Sequence, residues 1–221
     1  MLGSMTERGP LRVAAAAVLL VVLAPLAGCG TASAPSPPAG VDELVVPTPS
    51  PDPSDFVATV DNPWFPLEPG RTWRYDVAGP TGNHALLVSV TPGPTVAGVP
   101  TTARVSQESG RQVVDWYAQD DQGNVWWFGR AGQWRAGAAG AEAGLAMPAT
   151  PRVGDGYWLG YATDVVEETA TVLAVDDEQL LVEETSALEP GVVDRLTYVH
   201  GTGLVQQDRT AGGYRVVRLV P

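Results

Sequence analysis

From Arg71 onward the chain alternates apolar and polar side chains in short runs, and glycine or proline interrupts nearly every run. A period of two sends successive side chains to opposite faces of a strand, so each run offers one apolar and one polar face. In Arg71–Val77, Trp73, Tyr75 and Val77 share one face, and Thr72, Arg74 and Asp76 the other. Leu86, Val88 and Val90 repeat the pattern in Ala85–Val90. Further runs follow at Thr101–Glu108, Gln112–Gln119, Asn124–Arg130, Tyr157–Tyr161, Val165–Val175, Gln179–Thr185, Val192–Val199, Gly203–Asp208 and Tyr214–Val220. β-Branched and aromatic residues dominate between the breaks, and helical periodicity is weak. The pattern predicts an all-β fold, a single antiparallel domain of about ten strands arranged as a barrel, half-barrel or sandwich.

One segment departs from this pattern. Ala131–Pro151 is rich in Gly and Ala, and reads as a long loop with room for a short helix at Ala138–Ala146. Just before it lies the densest aromatic cluster, Trp116-Tyr117 and Trp126-Trp127-Phe128, joined by the turn Asp120-Asp121-Gln122-Gly123. Adjacent strand residues face opposite ways, so this hairpin carries large aromatics on both faces. An even-length loop pairs Trp116 with Trp127, and Tyr117 with Trp126. A three-residue loop instead groups Tyr117 with Trp127, and Trp116 with Trp126 and Phe128. Three uses are open: a core sealed on both sides, one face lining an apolar cavity, or an exposed aromatic platform. Trp116, Tyr117, Trp126, Trp127 and Trp134 are the candidate ligand-binding residues.

The N-terminus has the form of a secretory signal. Arg8 and Arg12 precede the apolar run Val13–Ala24, which falls short of the about 20 residues of a membrane span. Leu26-Ala27-Gly28-Cys29 follows and resembles the lipobox of bacterial lipoproteins. The resemblance implies that residues 1–28 are removed and that Cys29, the sole cysteine, becomes the acylated first residue, palmitate being a typical acyl group. Two or three acyl chains hold a protein stably on a membrane, where one is marginal. From Gly30 to Asp55 come seven prolines, Pro35, Pro37, Pro38, Pro47, Pro49, Pro51 and Pro53. Residues 29–55 therefore read as a semi-rigid spacer, with Val41–Val46 as a possible docking strand, and residues 56–221 as the β domain.

Charge narrows the function. The chain has 25 acidic and 13 basic residues, a formal charge of -12, which argues against a nucleic-acid partner. Every basic residue is Arg, so Schiff-base and Walker-type lysine chemistry is excluded. With one cysteine there is no intrachain disulfide framework and no multi-thiolate metal site. Neither a nucleophile elbow nor a zinc-protease helix motif occurs, and no cofactor, metal or catalytic residue is assigned. Glu167-Glu168 and Glu183-Glu184 lie in strands, where neighbours diverge to opposite faces. His84 and His200 read as solvated or capping residues.

Four stretches resemble an uncharacterised family of secreted and lipid-anchored bacterial proteins. They are Asp61-Asn62-Pro63-Trp64-Phe65-Pro66-Leu67-Glu68-Pro69-Gly70, then Asp115–Asp120 with Gly123–Gly129, Met147-Pro148 with Val153-Gly154-Asp155, and Leu188-Glu189-Pro190-Gly191 with Gly203-Leu204-Val205. The resemblance implies a β-rich extracytoplasmic lipoprotein and no particular activity. Physically, prolines flanking Trp64-Phe65 make the first stretch stiff and extended, a lid over the sheet end with Leu67 inward.

Together these readings describe a lipid-anchored protein on the extracytoplasmic face of the cell membrane. Its expected role is non-catalytic binding or carriage of an apolar or amphipathic ligand such as a lipid. The alternatives are an envelope scaffold module and a hydrolase whose paired carboxylates come from distant strands.

Overall fold

A computed structural model describes residues 52–221. Cys29, the signal segment and the Val41–Val46 strand expectation lie outside the described residues. A short 3-10 turn at Pro53–Asp55, held by the Asp52 carboxylate on the Ser54 amide at 2.9 Å, leads into the domain.

The strands are β1 (Phe56–Val57), β2 (Thr72–Gly79), β3 (Gly82–Val96), β4 (Val99–Glu108), β5 (Arg111–Asp120), β6 (Val125–Arg130) and β7 (Trp134–Arg135). They continue as β8 (Glu142–Met147), β9 (Gly156–Ala162), β10 (Val166–Val175), β11 (Gln179–Ser186), β12 (Val193–Val199), β13 (Gly203–Ala211) and β14 (Val216–Leu219). Every pairing is antiparallel, and twelve strands close into a ring. Its order is β5-β4-β3-β2-β14-β13-β12-β11-β10-β9-β8-β6 and back to β5. β1 adds to β5 and β7 to β6 outside the ring. An all-antiparallel ring needs an even number of strands, and closing it leaves no edge open. Of the three β architectures open to the sequence, the protein adopts the barrel.

Local chemistry sets the corners. Two-residue turns join β3 to β4 at Ala97-Gly98 and β4 to β5 at Ser109-Gly110, and all four residues have positive φ. Such turns match the right-handed twist of the strands they connect. The Asp120–Asn124 turn has three central residues, and Asp120 organises it. Its carboxylate accepts from the amides of Gln122 and Asn124, from Asn124 Nδ2 and from Trp126 Nε1, all within 3.0 Å.

The Ala131–Pro151 stretch is not a helix-bearing loop. It supplies β7 and β8, and β8 bridges β6 and β9. The reason lies at Gly144, where a Cβ would stand 2.3 Å from the Leu159 carbonyl carbon. Glycine lets the two backbones approach, and completing the ring's hydrogen bonds outweighs alanine's helix propensity.

Alternation places Trp73, Tyr75, Val77, Leu86, Val88 and Val90 inward, as their spacing predicts. On β10–β13 the outward positions are polar: Arg195 bonds Glu183 at 3.0 Å, and Thr169 meets Thr185 at 2.9 Å. No helix among the described residues is long and apolar enough to cross a membrane.

Candidate functional site: a barrel cavity with two different ends

One end of the barrel is closed by residues 60–67. Val60, Trp64 and Leu67 are buried there, and Leu67 N–H donates to Val60 O at 2.9 Å. Asn62 holds the lid in shape. Its Oδ1 accepts from the amides of Trp64 and Phe65, and its Nδ2 donates to Gly123 O and Pro148 O. Gln119 ties the same segment to β5, accepting from the Asp61 and Asn62 amides and donating to Asp61 Oδ1 at 2.7 Å. The prolines prevent this segment from joining the sheet, so side chains and turns must satisfy its backbone groups, as they do here.

Under the lid lies a cavity of about 240 Å³. Its lidded end is aromatic. The Phe65 ring centroid lies 5.1 Å from that of Tyr117 and 6.3 Å from that of Tyr198, and Tyr117 stacks on Trp127 at 6.5 Å. Leu159, Leu196 and Leu204 line the same cavity. The walls farther from the lid are charged: Arg104, Asp115, Arg130, Glu168 and Glu184 all line the same cavity.

Strand register explains how the charges meet. Asp115 on β5 faces Arg130 on β6, and the guanidinium Nε donates to the carboxylate at 2.7 Å. Asp194 on β12 faces Arg209 on β13, which donates twice at 2.9 and 3.0 Å. Nearer the far rim, Glu108 accepts two bonds from Arg215 and one from His84 Nε2, at 2.7–2.8 Å. The Arg215 bonds, with His84 adding to them, overcome burial and hold the Glu108 carboxyl down at about 2.

Two inward carboxyl groups lack such a partner. Glu184 stands opposite Ala170, and Glu168 lies two residues before Ala170 on the same face, so the two are diagonal neighbours. Among the described residues neither forms an ion pair with an arginine. Glu184 is surrounded by protein yet keeps accessible surface, because it faces the cavity. Burial, then the charges of Glu168 and Asp194, push its carboxyl up to about 8, while Arg104 pulls weakly the other way. Burial also raises the Glu168 carboxyl, with Arg130 opposing. Tyr157 stands across Ala170 from Glu184, and its buried hydroxyl has no hydrogen-bond partner.

The aromatic hairpin takes the grouping of a three-residue loop. Tyr117 and Trp127 point into the cavity. Trp116, Trp126 and Phe128 face away and are covered: Arg135 lies over Trp116 at 5.1 Å, Trp126 bonds Asp120, and Phe128 meets Phe56 edge-on at 5.2 Å. Trp134 packs edge-on against Trp127 at 4.9 Å, with its buried Nε1 unpartnered, and backs the cavity wall without lining it. The candidate residues thus separate into two that reach the cavity and three that do not. His200 contacts Trp64 in the lid at 5.2 Å. No group of three His, Asp or Glu side chains among the described residues is placed to hold a metal ion.

Adjacent glutamates diverge to opposite faces, and the pair Glu168 and Glu184 forms instead between residues sixteen apart. The usable signal was symmetry: both lie eight residues from Asp176, at the turn between Val165–Val175 and Gln179–Thr185. A hairpin folded there brings them together. Comparison of the chain with protein-family models, curated proteins and solved structures gave no match.

Proposed function

We propose that this protein is a lipid-anchored carrier, held on the extracytoplasmic face of the membrane through Cys29, whose barrel binds a small amphipathic ligand. The observation that carries the binding role is the cavity itself, with aromatic rings at the lidded end and charges along its walls. Ligand sites commonly combine an apolar lining with a few fixed polar groups. At about 240 Å³ the space falls just below the roughly 300–1,000 Å³ of pockets for drug-sized molecules, which favours a compact ligand over a long acyl chain. The charged wall favours an amphipathic ligand over a purely apolar one, because unmatched charges beside hydrocarbon are costly.

Titration with 2-phenylethanol tests the binding role. Tryptophan emission should change saturably, Trp127→Phe should remove most of the change, and Trp116→Phe should leave it intact. An emission unmoved by 2-phenylethanol and by its charged analogues counts against the reading. For the anchor, metabolic labelling with a palmitate analogue should mark the wild type and not Cys29→Ser.

A second reading rests on Glu168 and Glu184, a carboxyl pair on one wall, as general acid and base of a hydrolase. It requires turnover of chromogenic glycosides or esters that Glu184→Gln abolishes. The carrier reading is favoured because both carboxyls are raised by burial, whereas such a pair needs one member held ionised.

A further inference from the structure

Each inward carboxylate of the barrel except two is matched to an arginine. Asp115 has Arg130, Asp194 has Arg209 and Glu108 has Arg215. Glu168 and Glu184 have none, and they sit together on the wall formed by β10 and β11. The remaining arginine of the cavity is Arg104, whose Nη1 donates to Ser106 Oγ at 3.1 Å. Arg104 is on β4, and β4 and β11 are six places apart in a ring of twelve. The two walls are therefore opposite, and the cavity separates the guanidinium from the carboxyl pair. One uncommitted positive group faces two uncommitted acidic ones, so the fully ionised cavity carries one negative charge in excess.

We infer that the cavity is a site for a small organic amine, whose ammonium group is held by Glu168 and Glu184 and whose apolar body lies against Tyr117, Trp127 and Tyr198. This rests on the carrier reading and adds the ligand's chemical class. Three observations converge on it. The missing partner of the carboxyl pair is a cation, and the fold supplies none at hydrogen-bonding distance. Tyr117 and Tyr198 feel the charge of Glu184, and aromatic faces attract ammonium groups and add to hydrophobic contact, whereas Trp127 already carries the Arg130 guanidinium over its ring at 5.0 Å and offers packing surface only. The buried Tyr157 hydroxyl, across Ala170 from Glu184, is an unpartnered polar group at the same level of the barrel.

The site has its own proton balance. The groups facing Glu184 are Glu168 on β10, Asp194 and Tyr198 on β12, Tyr157 on β9, Tyr117 on β5 and Arg104 on β4. Asp194 is paired with Arg209, and the tyrosines are held protonated by burial. In the empty cavity a proton on the carboxyl pair removes the excess negative charge. An arriving ammonium takes over that role, and the proton leaves to solvent. Amine binding near neutral pH therefore releases close to one proton, whereas a neutral ligand of the same shape releases none.

The test compares three probes of one shape: 2-phenylethylamine, 2-phenylethanol and 3-phenylpropanoate. Binding is followed by tryptophan emission, and by calorimetry in two buffers of different ionisation enthalpy. The amine should bind at least tenfold tighter than either analogue at pH 7, with a buffer-dependent heat equivalent to about one proton released. Glu184→Gln keeps the shape of the protonated side chain and should fold. It should lose the preference for the amine and the proton release, while still binding the alcohol. If the alcohol or the carboxylate binds as tightly as the amine, the amine inference falls and the carrier reading stands. If none of the three binds, both fall. Tight amine binding without proton release, or unchanged in Glu184→Gln, also overturns the inference, because the ammonium then lies elsewhere.

Discussion

The two ends of this barrel treat buried polar groups in opposite ways. At the lidded end Asn62, Gln119 and Asp120 are each buried and each make several hydrogen bonds. Toward the other end, Glu168, Glu184 and Tyr157 are enclosed without comparable partners. A satisfied network fixes one structure, whereas an unsatisfied group in low dielectric is costly and is kept where it does something. The contrast separates scaffold from site more sharply than hydrophobicity does, since aromatic rings occur at both.

The largest expected effect is at the lid. Asn62→Leu removes four side-chain hydrogen bonds and leaves buried partners unpaired. It should destabilise the domain by about 4 kcal/mol, seen as a drop in Tm of roughly 8–16 °C by circular dichroism. An unchanged Tm would mean that the lid is not the structural end.

Glu184→Gln should act in the other direction. The Glu184 carboxyl is raised to about 8 when folded, so the native state takes up a proton that the unfolded chain, with its ordinary carboxyl, releases above about pH 4.5. That costs stability as pH rises from about 4.5 to 8. The variant lacks the cost. It should be more stable than wild type by about 3 kcal/mol at pH 7, and equal to it at pH 4. Denaturant melts at the two pH values measure this, and a destabilised variant at pH 7 would show that Glu184 already has a partner.

Glu108 carries the smallest effect and sharpens the comparison, because it lies toward the same end but is matched. Its folded value of about 2 is below the unfolded one, so its contribution is full above about pH 4.5 and is lost as pH falls toward 2. With the carboxylate about a quarter exposed, solvent screens the pair, and the loss should be about 1 kcal/mol. Glu108→Gln should abolish that slope in acid urea melts. A flat profile in the wild type would remove the distinction between matched and unmatched carboxylates.

The strands and the lid were legible in the residues. Trp73, Tyr75 and Val77 face inward as alternation requires, and Pro63 and Pro66 keep the lid out of the sheet. Alternation could not choose between barrel and sandwich, because closure depends on β14 pairing with β2, a contact between the far ends of the domain. Local propensity favours a helix at Ala138–Ala146, while the ring's need for a strand at Glu142–Met147 is a long-range demand that overrides it. The aromatic cluster pointed to the right hairpin, and the three-residue turn decided that Tyr117 and Trp127 rather than Trp116 and Trp126 face the cavity. The carboxyl pair meets across a turn, a relation that neighbours along the chain do not display.

The seam between β2 and β14 also has a consequence for how the molecule is made. Nearly every other contact in the ring joins consecutive strands and can form as the chain emerges, but Val77 must wait for Val217. Until the last strand arrives, the growing sheet has two bare edges able to pair with any passing strand. A chain ending before Val216 stays in that condition permanently, so the final few residues act as the fastener that turns a sticky ribbon into a vessel.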